Sequence, residues 1–236
     1  MPAISLVAFD LDDTLYPERA FVRSGFRVAS DYLVREGLVD RPLLGDFEAA
    51  FDAGARGDVF DRVLRAAGVE AADALVRTLV EVYRTHRSRH GSVRPDIRLY
   101  ADADRALERL AGQGRRLGLI SDGPLAAQSA KVQALGLDAR LDAVTLTDAW
   151  GPEFWKPHPR AFVEMADRFG ADLGACLYVA DNPEKDFDGP AAAGWRPSVW
   201  VRRRDGVYRD AAPPQERLLS ATVGNLDGLA EVLGCV

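Results

Sequence analysis

Five short apolar runs, separated by stretches of helical spacing, restrict this chain more than any other feature. Ile4–Phe9, Leu117–Ile120, Ala143–Leu146, Cys176–Ala180 and Val199–Val201 carry no polar alternation. That pattern belongs to strands covered on both faces, as in parallel sheets. Between the runs, apolar residues step by three or four. Leu99, Ala103, Ala106, Leu107 and Leu110 form one such stripe, closed by Gly112-Gln113-Gly114. Residues 125–135, the group Phe162, Met165, Ala166 and Phe169, and residues 183–193 predict further helices. Strand and helix in alternation imply right-handed βαβ units and a doubly wound α/β fold with a parallel sheet.

The rhythm differs between the first run and the second. Phe21, Gly25, Val28 and Tyr32, and later Leu75, Leu79, Val82 and Tyr83, keep helical spacing with no strand between them. Pro17 suits a first helical turn. The expected organisation is an α/β core from residues 1–16 and 95–236, with residues 17–94 inserted as a small all-α lobe.

Open parallel sheets bind ligands beyond the carboxyl ends of their strands, and the polar residues follow that rule. Asp10, Asp12 and Thr14 come after the first run, Ser121 and Asp122 after the second, Lys156 in the loop beyond the third, and Asp181 and Asp186 after the fourth. Acids gathered at one rim repel one another, and a hard divalent cation with oxygen ligands relieves this. Mg²⁺ suits such a rim because it needs few carboxylates and keeps waters and phosphate oxygens as its other ligands. A carboxylate there can attack phosphorus while a lysine and the metal neutralise the phosphoryl charge. A second acid two residues on can protonate the leaving oxygen and later deprotonate a water.

These residues resemble the motifs of the haloacid dehalogenase superfamily of phosphatases. The first motif reads Asp10-Leu11-Asp12-Asp13-Thr14, the second Ile120-Ser121-Asp122-Gly123, the third Lys156-Pro157 and the fourth Asp181-Asn182-Pro183-Glu184-Lys185-Asp186. Ala180 stands where the fourth motif often has Gly, which keeps a small residue there. The resemblance implies that Asp10 is the nucleophile and Asp12 the general acid and base. It implies that Ser121 and Lys156 hold the phosphoryl group, with Thr14, Asp122 and Gly123 at the phosphate. It further implies Mg²⁺ bound by the Asp10 carboxylate, the Asp12 backbone carbonyl and Asp181, with Asp186 in support. The inserted lobe resembles the helical cap that sets specificity in one branch. Dehalogenases of the superfamily lack the second acid, so Asp12 points to a phosphate ester.

The expected activity is hydrolysis of a small phosphorylated metabolite: a sugar phosphate, a nucleotide or a phosphorylated acid. A phosphomutase and a phospho-receiver or binding module are the alternatives. The formal net charge of −6 gives no general attraction to nucleic acid or anionic membrane, so neither is expected as a partner. Cys176 and Cys235 have no metal-type spacing and read as a buried thiol and a tail thiol. Ile4–Phe9 is too short for a signal peptide or membrane span, so a cytoplasmic protein is expected. The oligomeric state is not legible. Arg84, His86, Arg87, Arg89, His90 and Arg94 read as a solvated basic helix end, from which one or two side chains can meet a second anionic group of a substrate. His158 reads as a loop histidine, Trp150, Phe154 and Trp155 as loop packing, and Arg202-Arg203-Arg204 as a solvated patch.

Overall fold

The computed structural model describes residues 3–55 and 57–234. Two compact units emerge, Met1–Glu18 with Arg98–Val236, and Arg19–Ile97. The chain opens on β1 (Leu6–Phe9), every residue of which is buried.

Four helices build most of the second unit: α1 (Glu18–Arg35), α2 (Leu44–Asp52), α3 (Val59–Ala66) and α4 (Asp73–Thr85). Its core is aromatic. Phe26 stacks on Phe47 at 5.4 Å between ring centroids and meets Phe60 edge-on at 6.0 Å. Val22, Leu33, Leu64 and Leu79 close around them. One correction to the helical reading is a minimal antiparallel pair, β2 (Arg87–Ser88) with β3 (Gly91–Ser92). His86 takes a left-handed conformation at the end of α4 and so reverses the chain into it. Its ring is fully buried, with Nε2 2.9 Å from Ser24 Oγ. Arg89 and His90 both pair with Glu36. The basic stretch is thus not uniformly solvated.

The chain then runs through α5 (Ala101–Gly112), β4 (Arg116–Ser121), α6 (Leu125–Leu135), β5 (Ala143–Leu146), α7 (Arg160–Phe169), β6 (Cys176–Ala180), α8 (Asp188–Ala192), β7 (Ser198–Val201), β8 (Leu219–Val223) and α9 (Leu229–Val232). Six strands form a parallel sheet in the order β5-β4-β1-β6-β7-β8. Strand β1 is central, with Phe9 in register with Leu119 on one side and Val179 on the other. Strands β6 and β7 are buried throughout, as their unbroken apolar runs require. Phe162 of α7 meets Tyr178 of β6 edge-on at 4.9 Å, and Trp195 packs on the same ring.

Three local expectations change. Strand β8 has no counterpart among the apolar runs. It is an edge strand, and its polar Ser220 and Thr222 interrupt the apolar signal. The helix expected over 183–193 is confined to Asp188–Ala192, because the Asn182 N–H donates to the Asp186 carboxylate and holds the preceding segment in a turn. Arg203 is buried rather than solvated. Cys176 is buried and free, while Cys235 lies outside the described residues. Among the described residues no helix is long and apolar enough to cross a membrane.

Candidate active site

Strand β1 delivers Asp10 to the carboxyl rim of the sheet, where the Asp10 N–H still donates to Val179 O of β6 at 3.0 Å. The chain then turns tightly. Asp13 adopts a left-handed conformation, which a short polar side chain tolerates. Its carboxylate accepts from Glu18 N and Val207 N, both at 2.8 Å. From below, the Arg203 guanidinium donates to Thr14 O at 2.6 Å, pairs with Asp102 and lies 3.6 Å from the Tyr100 ring. A loop held at so many points offers its acids in fixed positions.

Lys156 comes from the loop between β5 and α7, and its side chain is fully buried. Its ammonium lies 2.5 Å from Asp10 Oδ1, 2.8 Å from Asp186 Oδ1 and 2.9 Å from Tyr178 OH. Burial opposes its charge, but Asp10 and Asp186, with Tyr178 and Asp122, raise its pKa well above the ordinary lysine value. Asp122 anchors that loop, accepting from Lys156 N at 3.1 Å, Thr147 Oγ1 at 2.8 Å and Lys185 Nζ at 2.9 Å. Burial would raise the Asp122 pKa, but Lys156 and Lys185 bring it down. Its carboxylate is occupied within the protein, so only its backbone is left for a phosphate. Gly123 follows with φ +120°, a conformation that favours glycine.

Strand β6 delivers Asp181 and, one turn later, Asp186. Oxygens of Asp10, Asp181 and Asp186 lie within 4.8 Å of one another, all three side chains buried. Burial, then the neighbouring Asp10 and Asp186, drive the Asp181 pKa well above the carboxylate range. Asp10 is pushed up to about 7, by burial first and against the pull of Lys156. Three carboxylates facing one lysine leave a negative surplus in a dry place. Oxygen ligands with that surplus fit a hard divalent cation. Thr14 is fully buried and its hydroxyl donates to Asp181 Oδ1 at 3.4 Å, which ties the first loop to the fourth.

The Asp12 side chain is held by α6 and by Tyr16. Its carboxylate accepts from Lys131 Nζ at 2.7 and 3.0 Å, from Gln128 Nε2 at 3.0 Å and from the Tyr16 hydroxyl. Burial would raise its pKa, but Lys131, then Tyr16 and Gln128, hold it below the usual range. Ser121, at the end of β4, is buried and accepts from Gln128 Nε2 at 2.6 Å. His158 is exposed, and its Nδ1 accepts from Arg160 N. Trp155 donates to Asp148, while Arg160 stacks over Trp150 and Phe154, so these aromatics pack the loop.

Lys131, Gln128 and Tyr178 surround the site without having been singled out in the sequence, Lys185 was given no role within the fourth motif, and Arg203 was expected in a solvated patch. A signal existed for the first two. They lie three apart on a helix whose inward face also holds Ala127, Val132 and Leu135, and a polar pair inside an apolar stripe asks for partners.

The family model for haloacid dehalogenase-like hydrolases matches residues 4–194. A glyceraldehyde 3-phosphate phosphatase of Methanopyrus kandleri is 31% identical over 216 residues, covering 89% of this chain and 88% of that protein. A 2-haloacid dehalogenase of Pseudomonas syringae pv. tomato is 27% identical, with a TM-score of 0.64 over 98% of each chain. A hydrolase of the same superfamily from Bacillus subtilis, bound to magnesium, is 21% identical and shares the fold with a TM-score of 0.69, over 98% of this chain and 99% of its own. With a family model spanning most of its length and a phosphatase relative along nearly all of it, the chain belongs to the haloacid dehalogenase-like hydrolases and is a phosphatase among them.

Proposed function

We propose that this protein hydrolyses a small phosphomonoester in a Mg²⁺-dependent reaction through an aspartyl-phosphate on Asp10. The observation that carries the reading is the buried Lys156 ammonium between Asp10 and Asp186, next to the third acid, Asp181. That geometry holds a carboxylate nucleophile beside a fixed positive charge. Mg²⁺, held by Asp10 and Asp181 with Asp186 behind them, would supply positive charge to the phosphoryl oxygens and offset the crowded carboxylates.

An Asp10 oxygen attacks phosphorus, forming the acyl phosphate as the bond to the leaving oxygen breaks. Lys156 and the Ser121 hydroxyl hold the phosphoryl oxygens. The phosphoryl charge arriving beside Asp12 raises its proton affinity, so Asp12 takes up a proton from solvent as substrate binds and gives it to the departing oxygen. Water then attacks the phosphoryl group, Asp12 takes the water's proton, and Asp10 is released as carboxylate with inorganic phosphate. Asp12 also speaks against dehalogenation, despite the dehalogenase among the similar structures, because halide departs without a proton.

The unit Arg19–Ile97 is proposed to select the substrate, as a specificity cap on the α/β unit. Phosphorylated sugars, nucleotides and acids are the candidates. The Methanopyrus relative's name puts short aldose phosphates first in a screen. A cytoplasmic setting suits the buried free thiol of Cys176.

The test is Asp10→Asn assayed with Mg²⁺ on para-nitrophenyl phosphate and on a panel of phosphorylated metabolites. Turnover should vanish, and wild-type protein stopped by acid during turnover should carry phosphate on Asp10 by mass spectrometry. Full activity in the variant would remove Asp10 from the role.

A further inference from the structure

We infer that Gln128 and Lys131 of α6 are positioning residues that fix the Asp12 carboxylate relative to the Ser121 hydroxyl. The inference rests on the acid role given to Asp12 above. A carboxylate on a loop turns freely about two side-chain bonds unless something holds it. Here Lys131 Nζ reaches both Asp12 oxygens, at 2.7 and 3.0 Å. Gln128 has one amide group with two N–H donors. That group donates to Asp12 Oδ2 at 3.0 Å and to Ser121 Oγ at 2.6 Å. A single planar amide therefore spans the acid and the hydroxyl that must stand around one phosphoryl group. Tyr16 closes the remaining side of Asp12.

The helix makes this a rigid device. Gln128 and Lys131 are three residues apart, so their side chains leave one face of α6 together. Both are buried, Gln128 to 2% and Lys131 to 6% exposure. A buried lysine is costly unless paired and hydrogen-bonded. Its pairing with a loop acid, on a helix whose other buried residues are Ala127, Val132, Ala134 and Leu135, is not needed to fill the core. An apolar side chain would pack there with less desolvation.

A merely structural pair and a positioning pair differ in one measurable respect. A misplaced Asp12 slows esters whose leaving oxygen needs a proton and spares those whose oxygen departs as a stable anion. The experiment compares kcat/KM for phenyl phosphate and para-nitrophenyl phosphate in wild type, Lys131→Met, Gln128→Met and Asp12→Asn, all with Mg²⁺. This parameter reports the phosphoryl transfer to Asp10, before the second step masks the leaving group. Both clamp variants should lower the phenyl ester at least about tenfold more than the nitrophenyl ester, and Asp12→Asn should open the widest gap. Equal losses on both esters in the clamp variants, with a gap in Asp12→Asn, would overturn the positioning role and leave the acid role standing. No gap in Asp12→Asn would remove the acid role and this inference with it. If Lys131→Met fails to fold, Gln128→Met decides the matter, because it removes donors without stranding a charge.

Discussion

Lys156, its side chain fully buried, meets Asp10, Asp186, Asp122 and Tyr178. Removing a lone partner from a buried ion cluster leaves charge without compensation, at about 3–5 kcal/mol. Lys156→Met should therefore lower the melting temperature in metal-free buffer and cut kcat by about a hundredfold or more with Mg²⁺, through loss of phosphoryl charge stabilisation. Calorimetry and a phosphate-release assay read the two effects separately. A variant as active as wild type would mean that the ammonium serves only folding. Asp10, Lys156 and Asp181 were legible in the sequence because each follows a strand, and strand ends share one rim. Lys131 and Arg203 were not, because a lysine or arginine code carries no burial. Only the fold tells a guanidinium bonded to the loop after β1 from one in solvent, and Arg203 sat inside a basic triplet that read as surface.

At the scale of elements, the third motif depends on how α8 packs against α7 and the loop that carries Lys156. Gly189 of α8 has no room for a side chain: a Cβ there would lie 2.9 Å from the Pro157 carbonyl oxygen and 2.7 Å from the Phe162 ring. The ring can turn a little, but the carbonyl belongs to the residue after Lys156 and can yield only by moving the loop. Gly189→Ala should cost about 1–3 kcal/mol by overpacking and lower kcat more than tenfold by displacing the ammonium, as small misplacements do in preorganised sites. A circular dichroism melt alongside steady-state kinetics checks both. Unchanged kcat with reduced stability would separate the helix contact from the site. The elements themselves differed in legibility. Apolar runs buried on both faces announced β1, β4, β6 and β7, and the half-buried edge strand β5 still kept a mostly apolar run, while β8, at the other edge, hid because its exposed Ser220 and Thr222 break the run. Helix α8 proved shorter than its spacing predicted, since the Asp186 carboxylate binds Asn182 N and unwinds the start. In the helical unit, His86 turned the chain into a two-residue β pair too short to leave any periodicity.

The whole molecule divides its burdens unequally. The unit Arg19–Ile97 buries an aromatic core, whereas the unit of Met1–Glu18 and Arg98–Val236 buries Asp10, Asp181 and Asp186 together. Folding the α/β unit without metal raises the pKa of Asp10 to about 7, chiefly by burial. An acid whose folded pKa lies above its unfolded one favours the fold when protonated and loses that support as pH rises through the folded value. The metal-free protein should thus lose stability between about pH 4 and pH 7 from this group. Mg²⁺ competes with the proton for the same oxygens, so its stabilising effect should grow over that window. At a hundred times its Kd, a ligand that binds only the folded state adds about 2.7 kcal/mol, several degrees in a melt. Titrating MgCl₂ at about pH 5 and about pH 8 should give a small and a large rise in melting temperature. Asp181→Asn should abolish the rise at the higher pH, and EDTA should reverse it in the wild type. A rise that ignored both pH and Asp181 would place the ion's stabilising contact outside the three acids.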